Sequence, residues 1–370
     1  MKKKLVIYDF QAFMSMYGGV PRYFAEIINE ISKSEKYKVK IGSVGSYNTY
    51  MNKYHYVIAL PGWTRKLEFV KKLIPLLNRL YMKLLVLIYK DAIFHVTYYN
   101  PYLLEYKPTH LVCTVYDMIL EKFPNLFPDA ETAISNKKKY IYESERIFAI
   151  SECTKRDLLK IYPDIDEQKV RVVYLATDMR TSEECEPSNT AYFLFVGDRK
   201  SYKNFGVLVK ALAYIKNEYN INLQLKCIGG GKFDQEESDA INGLGLNNQV
   251  VQLVANDAEL AWYYQNAICF VYPSMYEGFG IPILEGFACG CPEILCDASC
   301  FPEIAGDAAV YFKDDDYVDL AKKMHAFYTD DKLRMMYKEK GYQQLKNYSW
   351  TKSAELTMSG YDESIKMRCD

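Results

Sequence analysis

The chain has 370 residues, 49% of them hydrophobic and 25% charged, which is ordinary globular material long enough for two cores. A net charge of −1 supplies no global basic field and so argues against a nucleic-acid partner. The ten cysteines are spread through apolar stretches, as at Cys113, Cys227 and Cys269, and read as reduced small hydrophobes, not as a disulfide framework.

Met1 to Lys4 begins like an export signal, but the apolar run Leu5–Tyr8 meets Asp9 far too early for a signal core and reads as a first strand. Gly18-Gly19-Val20-Pro21-Arg22-Tyr23 then predicts an anion-tolerant glycine turn opening a helix that runs to Ile31. From Trp63 to Lys90 the pattern is helical. Leu73, Leu77, Leu80, Leu84 and Leu87 form one stripe, and Lys72, Arg79, Lys83 and Lys90 form another. Arg79, Lys83 and Pro75 break the apolar run, so the segment does not span a membrane. It fits either a basic amphipathic helix lying on an anionic bilayer or a helix packed on its own domain.

Further strand-like runs follow at Val39–Ser43, His110–Val115 and Arg146–Ile150, and then at Tyr192–Val196, Gln224–Ile228, Val250–Leu253, Ile268–Tyr272 and Glu293–Cys296. Alternating with helical patterns, they predict an α/β chain of parallel sheets. The polar stretch from Arg180 to Thr190 interrupts the alternation. The expected division is therefore a first domain over 1–179, a linker over 180–190, a second domain over 191–347 and a terminal segment over 348–370 whose helix opens at Trp350.

Two segments of the second half carry chemistry. Phe193-Leu194-Phe195-Val196-Gly197 runs into Asp198-Arg199-Lys200-Ser201-Tyr202-Lys203-Asn204, which clusters cations at a strand end where they can bind an anion. Arg199 could bind two oxygens at once. Cys269–Pro273 is a strand closed by proline, followed by Glu277-Gly278-Phe279-Gly280-Ile281-Pro282-Ile283-Leu284-Glu285. Gly278 and Gly280 let the backbone approach a ligand or take a positive φ. Pro282 suits a first helical turn, whose free amides favour an anion, and Gly290 before Pro292 ends the helix. Glu285 is expected in that first turn, with Glu277 projecting from the loop. Ile228-Gly229-Gly230-Gly231 adds another close backbone approach. Cys289, Cys291, Cys296 and Cys300 lack the paired knuckles of a zinc site, and Asp314-Asp315-Asp316 reads as a solvated turn, so no metal is expected.

The segment EGFGIPILEGFACGCP is similar to the signature of the retaining family 4 glycosyltransferases, and the chain resembles their mannosyltransferase-like members in bacterial surface-polysaccharide pathways. The resemblance runs nearly from end to end. It implies the GT-B architecture, two Rossmann-like domains facing each other across a cleft, with the terminal helix packing back on the first domain. It also implies transfer of a hexose-type sugar from a GDP- or UDP-linked donor to a glycan or lipid-linked acceptor, with no cofactor beyond the nucleotide-sugar substrate. The cytoplasm is the implied location, on the inner face of the membrane if the basic segment 63–90 lies on it.

By motif match, Glu277 contacts donor-sugar hydroxyls, Glu285 holds the ribose, and the amides from Gly278 through Phe279 and Gly280 to Ile281 meet the sugar and diphosphate. Arg199 and Lys203 fall on the phosphate motif, and Gly18 and Gly19 on the glycine pair beside the donor phosphate. Asp257, Glu259 and Leu260 fall on the stretch beside the base.

One departure stands out. Where the family usually has His-Asp after Thr-Val, this chain has Tyr116-Asp117, and tyrosine cannot shuttle protons near neutrality as imidazole does. His95 is either a replacement imidazole or a structural residue. The departing phosphate can take the acceptor proton, so the substitution is compatible with activity. A GT-B-fold sugar-nucleotide epimerase and a silent sugar-nucleotide-binding subunit remain as alternatives.

Overall fold

The computed structural model describes residues 3–16, 18–54, 57–181, 190–199 and 201–366. The core of the expected linker, with Glu183, Glu184, Glu186, Pro187 and Ser188, lies outside the described residues, as does Lys200. The chain divides into two compact units, Met1–Leu175 with Ser349–Asp370, and Ala176–Tyr348.

The first unit is a parallel six-stranded sheet of β1 (Lys4–Tyr8), β2 (Tyr37–Ile41), β3 (Ile93–Val96), β4 (His110–Val115), β5 (Arg146–Ala149) and β6 (Val170–Val172), in the order β2-β1-β3-β4-β5-β6. Chain order therefore reverses between β1 and β3. In open α/β sheets that crevice, beyond the carboxyl ends of the strands, is where ligands bind. The runs Val6-Ile7-Tyr8 and Ile93–Val96 are buried throughout, as strands covered on both faces must be.

Helix α1 (Gly19–Ser32) follows β1, and Gly18 caps it with φ near +135°, a conformation that favours glycine. Helix α2 (Glu68–Ile88) continues through Pro75 instead of stopping there, and a separate 3-10 turn at Gly62–Lys66 precedes it. The single helix expected from Trp63 is thus two elements. Helix α3 is Ala130–Glu143.

The second unit repeats the plan with β7 (Tyr192–Val196), β8 (Gln224–Ile228), β9 (Val250–Leu253), β10 (Phe270–Tyr272), β11 (Glu293–Cys296) and β12 (Val310–Phe312), in the order β12-β11-β10-β7-β8-β9. Here order reverses between β7 and β10, the doubly wound arrangement of a dinucleotide fold. Its helices include α4 (Phe205–Tyr219), α5 (Gln235–Gly243), α6 (Asp257–Asn266) and α7 (Ile281–Ala288).

Helix α8 (Trp350–Lys366) returns to the first unit and packs on α1 and β5. Tyr37 donates to Asp362 at 2.6 Å, Lys4 pairs with Asp362 at 2.7 Å, and Arg146 and Arg171 both meet Glu363.

Candidate functional site

Lys203 lies at the end of a short turn after β7, and Glu277 lies in the loop after β10, so the two strands flanking the order reversal each deliver one charge. Their side chains form an ion pair that is about nine-tenths buried on both sides. Tyr272, the last residue of β10, donates its hydroxyl to the same Glu277 oxygen at 2.7 Å. Burial and the neighbouring Glu277 hold that phenol well above its usual pKa, so it stays a donor.

The loop is fixed at several further points. Met275 N–H donates to the Tyr202 carbonyl at 2.9 Å, tying the two loops together. Ser299 accepts from Glu277 N–H at 3.1 Å and donates to its carbonyl at 2.7 Å, from a left-handed backbone position with φ near 56°. Neither Tyr272 nor Ser299 was singled out as a site residue from the sequence. Tyr272 did carry a signal, because it ends the apolar strand just before Pro273.

Gly280 caps α7 with φ near 86°, and Gly290 follows the helix with φ near 68°, so both glycines meet backbone that other residues rarely adopt. Gly278 does not take a positive φ and is not required for that reason. The helix begins at Ile281, which makes Glu285 its fifth residue; the first turn contains no acid. This corrects the expected first-turn placement and removes most of the dipole stabilisation argued for Glu285, since that effect fades within one turn. Glu285 is buried to 6% exposure beside Tyr264 and Cys289, and its charge adds to burial in raising both of their pKa values. Phe279 is buried against Tyr348.

Arg199 departs most from its expected place. Its Nε donates to Glu237 of α5 at 2.7 Å, Nη1 to the Gly229 carbonyl at 2.8 Å, and Nη2 to the Gly231 carbonyl at 3.0 Å and the Lys232 carbonyl at 3.2 Å. The guanidinium also lies 4.8 Å from the Phe233 ring centroid. Gly229, Gly230 and Gly231 all have positive φ, and a Cβ on Gly230 would come within 2.6 Å of the guanidinium. Arg199 is therefore the peg around which the triple-glycine turn is wound, with its donors committed inside the unit. The carbonyls that chain reversal leaves pointing inward need such a donor.

In the first unit, Asp9 after β1 and Thr97 after β3 meet at the order reversal, where the Asp9 carboxylate accepts from Thr97 N–H at 2.8 Å. Burial raises its pKa. Tyr116 is buried and donates its hydroxyl to the Thr97 carbonyl at 2.6 Å, while Asp117 accepts from Ile119 N–H at 3.0 Å. Lys137 of α3, only 2% exposed, holds this loop from below by donating to the Asp117 carbonyl at 3.0 Å and pairing with buried Glu121 at 2.7 Å. No sequence signal marked it.

His95 is fully buried in β3, with Nδ1 against Tyr361 Oη at 2.6 Å and Nε2 against Thr114 Oγ1 at 2.9 Å. Burial pushes its pKa down to about 3. It is a neutral structural residue and not a replacement for the imidazole missing at Tyr116. Glu259 closes a capping box with Asn256 at the start of α6, and Asp316 caps the helix beginning at Tyr317. Among the described residues no group of three or more His, Cys, Asp or Glu side chains is arranged to hold a metal ion.

Two parallel units of doubly wound topology, with an ion pair over the order reversal of the second, define a GT-B type α/β protein. Residues 181–344 match the family described as glycosyl transferases group 1. It is similar to O-antigen chain mannosyltransferase B of Escherichia coli, 25% identical over 291 residues and covering 74% of each chain. It is also similar to O-antigen chain mannosyltransferase RfbU of Salmonella typhimurium, 28% identical over 205 residues, with 55% of this chain and 56% of that one covered. It spans only 34% of the length of the Escherichia coli mannosyltransferase WbdA, which it matches at 24% identity.

Among solved structures, sucrose-phosphate synthase from Thermosynechococcus elongatus superposes with a TM-score of 0.76 at 16% identity, covering 99% of this chain and all of that one. Anabaena HepE in complex with UDP and glucose superposes at 0.71 and 16% identity, covering 98% of this chain and all of that one.

Proposed function

We propose that the chain is a retaining glycosyltransferase that moves a hexose from a nucleotide-diphospho-sugar, GDP- or UDP-linked, to a glycan or lipid-linked acceptor of bacterial surface polysaccharide. The observation that carries this reading is the Lys203–Glu277 pair over the β7/β10 reversal, held by Tyr272. Such a pair is pre-organised for a donor. When a diphosphate approaches, the ammonium can turn from one anion to another, and Glu277 is released to accept sugar hydroxyls. The bond from the anomeric carbon to the diphosphate breaks, the acceptor oxygen bonds that carbon from the same face, and the acceptor proton passes to the departing phosphate oxygen. No protein base is then required, in keeping with a Tyr116 whose hydroxyl is committed to a backbone carbonyl.

Gly278 to Ile281 present amides to the diphosphate, Glu285 takes the ribose, and the Gly18–Gly19 turn offers amides to an anion. Arg199 positions the turn beside these groups. Tyr116 and Asp117 belong to the substrate site near the reaction centre, and the reaction proceeds without a metal.

The exposed side of α2 supports attachment to the inner face of the membrane. Phe69, Leu73, Leu76, Leu80, Leu84 and Leu87 are all exposed, while Asn78, Met82, Leu85 and Val86 face the core. No helix among the described residues is long and apolar enough to cross a membrane.

The test incubates purified chain with a panel of nucleotide sugars, with and without chelator. Slow release of nucleoside diphosphate and free hexose, undiminished by chelator, is expected, with the α-anomer of the hexose released first from an α-linked donor. An isomerised donor would indicate an epimerase, and binding without turnover a silent subunit; either outcome overturns the reading.

A further inference from the structure

At the amino-terminal edge of the first unit's sheet, away from the strand ends that carry Asp9 and Thr97, lies a cavity of about 600 Å³. It is lined by Lys3 and Lys4 at the start of β1, Lys38 and Lys40 of β2, and Lys90 after α2, against a single acid, Asp91. Two of these cations are engaged by the fold: Lys4 pairs with Asp362 at 2.7 Å, and Lys3 donates to the Ser34 carbonyl at 2.9 Å. Among the described residues, Lys38, Lys40 and Lys90 meet no carboxylate; Lys40 lies 5.9 Å from the Tyr81 ring centroid. Five lysines around one hollow with a single acid give it a positive field that favours an anion.

The apolar border of the cavity is the last turn of α2. Ile88 and Tyr89 line it, 58% and 37% exposed, and Leu87 beside them is 62% exposed. Leu87 continues the row Phe69, Leu73, Leu76, Leu80 and Leu84, which at 100° per residue occupies roughly a quarter of the helix circumference over about 27 Å; Ile88 flanks the row and Tyr89 follows the helix end. Lys72, Arg79 and Lys83 run in the row alongside. The cavity therefore stands at the end of an uncovered apolar track edged with positive charge. A phosphodiester with acyl chains matches that sequence of chemistries, since the phosphate is anionic and its tails need an apolar surface.

We propose that this cavity receives the phosphate headgroup of an anionic phospholipid whose chains lie against the exposed face of α2. The site rests on the membrane-attachment reading above and gives that attachment a lipid preference. It is separate from the donor residues, so occupying it leaves the chemistry of transfer untouched and fixes how the first unit meets the bilayer.

The experiment measures co-sedimentation of the full chain with phosphatidylcholine vesicles, with and without phosphatidylglycerol, for wild type and for Lys38→Glu/Lys40→Glu. Wild type should bind the anionic vesicles at least about tenfold more tightly than the neutral ones, on the basis of about 1 kcal/mol per lysine at the surface. The double variant should lose that preference while keeping its residual binding to neutral vesicles and its rate of donor hydrolysis, which also reports that it is folded. If wild type binds neither vesicle, the attachment reading falls and the headgroup site with it. If it binds both alike, or if the double variant keeps the preference, the headgroup site alone is overturned. Glycerol phosphate titrated against wild type separates the sources: displacement of bound protein only at concentrations far above that of the vesicle lipid supports a lipid ligand, and tight binding of the soluble phosphate overturns it.

Discussion

Lys203 and Glu277, 74 positions apart in sequence, form an ion pair between the loops that leave β7 and β10, the two strands at which the second sheet reverses its order. The pair is largely removed from water and shares a tyrosine donor, so neither charge is a passive surface feature. Removing one partner of such a pair leaves the other buried and uncompensated.

Lys203→Ala should therefore lower kcat by more than about tenfold, because the cation acts on charge that develops as the diphosphate departs. Steady-state kinetics with saturating donor checks this. Turnover equal to wild type would remove Lys203 from the mechanism.

Arg199 should behave differently. Its replacement by alanine deletes donors to the triple-glycine turn and removes the cation paired with Glu237, whose side chain is 15% exposed, at a cost of about 3–5 kcal/mol. For a unit of this size the loss corresponds to a fall in Tm of roughly 10 °C. Calorimetry separates the two residues: a variant that loses activity with an unshifted Tm would return Arg199 to the phosphate.

Glu285→Ala is expected to weaken nucleotide affinity by about 10- to 100-fold, the worth of one or two hydrogen bonds to a charged group. Isothermal titration with the nucleoside diphosphate measures it directly. Wild-type affinity would exclude the ribose role.

Glu293 of β11 is fully buried, and both of its carboxylate oxygens lack a hydrogen-bond partner. It occupies the space left by Gly286, where a Cβ would come within 2.2 Å of Oε1. Burial holds its pKa well above the usual carboxylate range, so the folded state keeps the proton that the unfolded chain releases above about pH 4.3. The associated stability is complete below that pH and is lost as pH rises toward the folded-state pKa, by up to about 1.4 kcal/mol per unit. Thermal melts should show wild type losing Tm between pH 5 and pH 8 relative to Glu293→Gln. Parallel curves for the two proteins would show that Glu293 does not titrate in this way.

The features legible in the sequence are those fixed by neighbours along the chain. Apolar runs such as Tyr192–Val196 announce buried parallel strands. Gly280, Pro282 and Gly290 punctuate α7 because φ and the missing proline N–H are local properties. The carboxylates of Glu277 and Glu285 could be singled out for the same reason. Strand β6 escaped notice because Val170–Val172 is three residues long and only partly buried, too short to show a period.

Long-range packing decided the rest. In the sequence Arg199 reads only as a cation at a strand end, and the fold closes Glu237 and the carbonyls of Gly229 and Gly231 around it, while His95 looks reactive until Tyr361 arrives from the far end of the chain. Composition and spacing specify which groups are available to react. Whether a given charge faces a ligand or is consumed inside the fold depends on desolvation and on partners tens to hundreds of positions away, and those exist only once the sheets are assembled.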